Sequence, residues 1–123
     1  MKTIITTILL MTLAVTSALS QNLAGVWHGI TKTPDNKEIT FVFLFKKNEG
    51  AFSTTMAVPT FNISDIKPKS TSLKEGKLTI DGGDLGMKYE GVWNKATNEI
   101  EGTYNEGGVK LVLTLKKGNP VVT

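Results

Sequence analysis

From Leu23 onward the chain alternates apolar and polar residues in short runs separated by glycine, asparagine, aspartate and proline. A strand turns successive side chains to opposite faces, so a period of two marks a sheet with one buried face. Leu23 to Thr31 predicts a first strand, followed by a turn at Pro34-Asp35-Asn36. Ile39 to Lys46 is the most apolar run. Ile39, Phe41, Phe43 and Phe45 fall on one of its faces and Val42 and Leu44 on the other, which predicts burial on both sides or nearly so. Asn48-Glu49-Gly50 turns the chain into Ala51 to Val58, where Phe52, Thr54, Met56 and Val58 share a face. Beyond Pro59 the alternation weakens. Ile66 to Leu73 is interrupted by Pro68, which predicts an edge or bulged segment. Lys74-Glu75-Gly76 then leads into Leu78 to Asp81, and Asp81-Gly82-Gly83-Asp84 forms a turn.

The last third alternates most cleanly. Met87, Tyr89, Gly91 and Trp93 share one face of a strand, and Ile100, Gly102 and Tyr104 share one face of the next. Pairing them across Asn94 to Asn98 sets Trp93 against Ile100, Gly91 against Gly102 and Tyr89 against Tyr104. A connection over Asn105 to Gly108 sets Tyr104 against Val109, Gly102 against Leu111 and Ile100 against Leu113. Every apolar residue then lands on one side of the sheet. Eight strand candidates with short loops and no helical period predict an all-β fold, a small antiparallel up-and-down β-barrel of about eight strands.

Gly25-Val26-Trp27, Gly91-Val92-Trp93 and Gly102-Thr103-Tyr104 each set an empty position beside a large ring on the same face. An eight-stranded barrel holds either its own side chains or one small ligand. Two readings of these glycines follow. In the first, a ring from another strand packs over Gly91 and Gly102 or glycine permits the bend that closure requires; in the second, the glycines leave a small apolar space with the two tyrosine hydroxyls at one end. In the second reading the ligand contacts are Trp27, Phe43, Met56, Tyr89, Trp93 and Tyr104. Val42 and Leu44, pointing outward from the Phe-rich strand, form an apolar stripe suited to docking a partner.

The first residues fall outside this pattern. Lys2 precedes an apolar run over Ile4 to Val15, and Ala18-Leu19-Ser20 offers small residues for cleavage, so residues 1–20 read as a signal peptide and 21–123 as one β-barrel domain. The run is shorter than the roughly 20 residues that cross a bilayer, so no stable membrane anchor is expected after cleavage. A secreted or periplasmic location follows. The chain contains no cysteine, which leaves the sheet and core to hold the fold. All 14 basic side chains are lysines, spread along the chain against 11 acids. Nucleic-acid readers rely on arginine forks and a basic stripe, so that class is excluded.

No catalytic or metal-ligating set emerges. His28 is the only histidine and lies on the face opposite Trp27, where a surface or rim role is expected. Asp81 and Asp84 flank two glycines without a calcium-loop pattern. Glu99 and Glu101 share an outward face with Glu90 and Lys88 near them, which predicts a solvated surface. No enzymatic activity and no cofactor are expected.

The succession Leu23-Ala24-Gly25-Val26-Trp27-His28-Gly29, the apolar strand Ile39 to Phe45, Glu75-Gly76-Lys77-Leu78-Thr79-Ile80, Tyr89-Glu90-Gly91 and Glu99-Ile100-Glu101-Gly102-Thr103-Tyr104 resembles a small domain of Bacteroidetes. That domain precedes secreted serine α/β-hydrolases and also occurs alone. The Gly25-Val26-Trp27 opening is also similar to the Gly-x-Trp start of lipocalins and the wider calycin group, in which an Arg from the end of the barrel commonly covers the Trp. Here Lys116 or Lys117 would take that place. In the hydrolase-linked proteins the chemistry belongs to the following domain and its Gly-x-Ser-x-Gly elbow, which this sequence lacks. The resemblance implies a hydrolase-associated module. The expected function is therefore a non-catalytic exported binding or interaction module holding a small apolar ligand or docking a protein. The alternative is a stand-alone accessory domain of a secreted serine hydrolase system.

Overall fold

Period-two alternation becomes nine antiparallel strands in the computed structural model, which describes residues 23–120. The expected signal peptide over 1–20 lies outside the described residues. The strands are β1 Gly25–Lys32, β2 Glu38–Asn48, β3 Ala51–Val58, β4 Ile63–Ile66, β5 Ser70–Lys74, β6 Lys77–Asp81, β7 Met87–Asn94, β8 Glu99–Glu106 and β9 Val109–Lys117. Eight of them close a ring in chain order, β9 returning to β1, and β4 lies outside the ring against β3. The expected up-and-down barrel is the fold.

Tight hairpins fix much of the register. Glu49-Gly50, Glu75-Gly76 and Gly107-Gly108 each place two consecutive residues at positive φ, the two-residue turn whose twist matches that of the flanking strands. At Gly107-Gly108, φ 57° and 82°, neither residue has a Cβ to oppose that backbone. The β8–β9 ladder therefore runs to Glu106 opposite Val109, two residues further than the sequence reading carried it. Tyr104 faces Leu111 instead of Val109, Gly102 faces Leu113 instead of Leu111, and Ile100 faces Leu115 instead of Leu113. A slip of two keeps every side chain on its face, so the inner set survives the correction. The β7–β8 register is as expected, with Trp93 opposite Ile100, Gly91 opposite Gly102 and Tyr89 opposite Tyr104.

The stretch after Pro59 differs most from expectation. Pro59 opens a single 3-10 turn, Pro59–Phe61, because its fixed φ suits a first turn and it has no N–H to leave unbonded. β4 follows and pairs with the C-terminal part of β3 through a register shift between Met56 and Val58. Pro68 separates β4 from β5, which meets the other end of β3 at Phe52 and Thr71. The Thr54 and Thr71 hydroxyls share a 2.6 Å hydrogen bond across this seam. A second 3-10 turn, Gly83–Leu85, occupies the predicted Asp81 to Asp84 turn, with Asp81 Oδ1 accepting from the Gly83 N–H at 2.8 Å.

The closing seam is also short. β1 and β9 pair only at Trp27 with Lys117 and His28 with Lys116. Further along, the Thr31 hydroxyl donates to the Val112 carbonyl across 2.7 Å in place of a backbone bond. The strands thus part toward the end of the barrel where β1 finishes and β9 begins.

Candidate functional site

The two ends of the barrel differ because the inward residues differ. At the end formed by the start of β1 and the end of β9, Trp27 and Trp93 meet edge to face with centroids 5.3 Å apart. The Trp27 indole N–H donates to the Leu23 carbonyl at 2.8 Å, and the buried Leu23 side chain joins the same cluster. Of the two lysines at the end of β9, Lys117 lies over Trp27. Its Nζ lies 5.4 Å from the Trp27 ring centroid and donates to the Ala24 carbonyl at 2.9 Å.

Above the tryptophans, Phe43 packs edge to face on Phe45 and Tyr89 at 6.0 and 5.6 Å. The Tyr89 hydroxyl reaches over β8 to donate to the Leu113 carbonyl at 2.8 Å. In doing so it fills the space beside the paired glycines. A Cβ at Gly91 would come within 2.9 Å of that hydroxyl. The glycine notch is therefore closed by Tyr89 of β7, Gly91's own strand, and not by a ring from a strand outside the pair, and the two tyrosine hydroxyls do not converge. Burial holds the Tyr89 phenol well above the ordinary range.

Filling stops at Phe41 and Tyr104, whose centroids are 4.8 Å apart. Beyond them, toward the open end, lies a cavity of about 450 Å³. Its wall comes from Ile39 and Phe41 of β2, Met56 and Val58 of β3, Ile66 of β4, Met87 of β7, Tyr104 of β8 and Leu111 of β9. Its rim comes from Phe61, Ile63, Leu85 and Val109, which are 58%, 46%, 46% and 51% exposed. Such a share of exposed apolar surface around one opening is unlike singly scattered surface residues.

The polar lining is sparse. It consists of Thr33, the Tyr104 hydroxyl and Glu106. The Tyr104 hydroxyl donates to Glu106 Oε1. Burial raises the Tyr104 phenol first, and the Glu106 hydrogen bond and negative charge raise it further. Among the described residues lining the cavity, Glu106 alone carries a charge.

Of the six ligand contacts expected from sequence, Met56 and Tyr104 line the cavity; Trp27, Phe43, Tyr89 and Trp93 lie below it in the filled part. Val42 and Leu44 are half-buried on the outer wall, Val42 between His28 and Ala57 and Leu44 between Val26 and Thr55. His28 is also on that wall, its Nδ1 donating to the Gly118 carbonyl at 2.8 Å. Glu90 is paired with Lys77 and Lys88, and Glu99 with Lys116, on the solvated outer face.

Sequence reasoning missed Glu106 and the rim. For Glu106 the signal was present in Gly107-Gly108, a dipeptide suited to the two-residue turn that carries β8 onward to an inward position 106. Phe61, Ile63 and Leu85 sit in or beside irregular turns where periodicity says nothing about direction. The fold and site define a closed antiparallel barrel, filled at one end and open and apolar at the other. Comparison of the chain with protein-family models, curated proteins and solved structures finds no match.

Proposed function

We propose that the protein is a non-catalytic, exported carrier that holds one small apolar ligand in the open end of its barrel. The observation that carries this reading is the cavity itself, within the size range of small-molecule pockets and lined by apolar side chains, with Thr33 and the Tyr104–Glu106 pair as its polar groups. A ligand burying roughly 300 Å² of apolar surface gains about 7.5 kcal/mol at ~25 cal/mol/Å², enough for roughly micromolar binding before ordering costs. His28 is on the outer wall and does not line the cavity. Titration of the purified protein with N-phenyl-naphthylamine, a neutral fluorophore, tests the proposal. Saturable one-to-one enhancement that Leu111→Trp suppresses supports a carrier; no enhancement in the wild type refutes it.

The half-buried stripe of Val42 and Leu44 favours a second role for the outer wall, as the contact to a partner such as a secreted serine hydrolase. Co-elution of this chain with a purified secreted serine hydrolase, lost on Leu44→Lys, tests that reading.

A further inference from the structure

We propose that the cavity selects its ligand by head group, and that Glu106 makes it a site for an apolar chain ending in a protonated amine; this rests on the carrier reading above. Alternation along β8 puts Ile100, Gly102, Tyr104 and Glu106 on the inner face, and the tight Gly107-Gly108 turn holds Glu106 in the ladder opposite Met87 and Val109. A carboxylate thus occupies a position that its inward neighbours fill with apolar groups.

Tyr104 orients it. The phenol, buried beside Phe41, donates to one carboxylate oxygen and leaves the other able to accept from a ligand. Among the described residues no cation pairs with Glu106. Among the described residues the ion pairs are Lys37 with Asp35, Lys77 and Lys88 with Glu90, and Lys116 with Glu99. Lys88 and Lys110 both lie opposite Asn105, one position away from Glu106 and therefore on the outer face. The carboxylate sits at the exposed rim, where water and salt screen part of its charge. A carboxylate-headed chain would meet repulsion there, an alcohol would gain a hydrogen bond, and an ammonium would gain a charge-assisted one.

Displacement of N-phenyl-naphthylamine by decylamine, decanol and decanoate, at neutral pH, low salt and below micelle formation, tests this. The expected order is amine, alcohol, carboxylate, with decylamine about tenfold tighter than decanoate and the gap narrowing at high salt. Glu106→Gln erases the amine advantage while leaving decanol within about twofold, and Glu106→Lys reverses the order; Glu106 is at the exposed rim, so both variants keep the fold, checked by their melting temperatures. Equal displacement by decylamine and decanoate in the wild type overturns the inference and leaves the carrier standing. So does an amine preference that persists in Glu106→Gln. Failure of the fluorophore itself to bind overturns both.

Discussion

Tyr89 lies across the bare Cα of Gly102: a Cβ at that position would fall 2.7 Å from the Tyr89 hydroxyl and against the Glu90 carbonyl oxygen. Only glycine lets the ring pass over β8 and bond the backbone of β9. This contact divides the barrel, since the rings below it pack solidly and the space above Phe41 and Tyr104 does not.

Gly102→Ala is expected to destabilise the barrel by about 1–3 kcal/mol, because backbone as well as side chain would have to shift. Equilibrium urea unfolding checks this. A midpoint within error of the wild type would show that the ring has another way across.

Tyr89→Phe keeps the ring and removes the buried hydrogen bond to Leu113. The expected loss is about 1 kcal/mol, with an unchanged denaturant slope. Binding of a neutral fluorophore should be unaffected, as Tyr89 does not line the cavity.

Lys117→Met retains an apolar stem over Trp27 and removes both the cation and the bond to the Ala24 carbonyl. Its cost should be about 0.5–1 kcal/mol, the range of a partly exposed cation–π contact. Thermal melts measure the loss. Trp27 emission should change while ligand affinity does not, since this pair sits at the filled end.

Both tyrosines of the chain are buried and have raised phenol pKa values. The unfolded chain releases these protons near pH 10, the folded one only above it, so the folded state holds more protons on the alkaline side. Their contribution is present in full below pH 10 and declines as pH rises above it. Phenolate absorbance should therefore appear together with unfolding and not before it. A reversible titration near pH 10 in the folded protein would contradict this.

How much of this was legible beforehand depended on which physical signal each residue carried. Inward residues from Trp27 to Leu113 followed from period two alone, as burial on one face dictates that pattern. The β7–β8 pairing followed because Met87, Tyr89, Gly91 and Trp93 match Ile100, Gly102 and Tyr104 in only one sensible register. The β8–β9 pairing did not, because a slip of two leaves the alternation intact; only the turn chemistry of Gly107-Gly108 distinguishes the registers. The expected ligand contacts divide between cavity and filled core for another reason. Trp27, Phe43, Tyr89 and Trp93 point inward as expected, but periodicity gives a face and not a depth along the barrel axis. Phe61, Ile63 and Leu85 reach the mouth from turns and a strand outside the ring, where tertiary placement overrides local pattern.

Met56 and Met87 both line the cavity, and they are the only methionines among the described residues. Isotope labelling of methionine methyls, with nuclear Overhauser contacts recorded to bound N-phenyl-naphthylamine, thus reads the central claim of a barrel hollow at one end. The account predicts contacts from both methyls to the ligand and unmoved indole N–H signals of Trp27 and Trp93. Shifted indole signals with silent methyls, or no contacts at saturation, would contradict it.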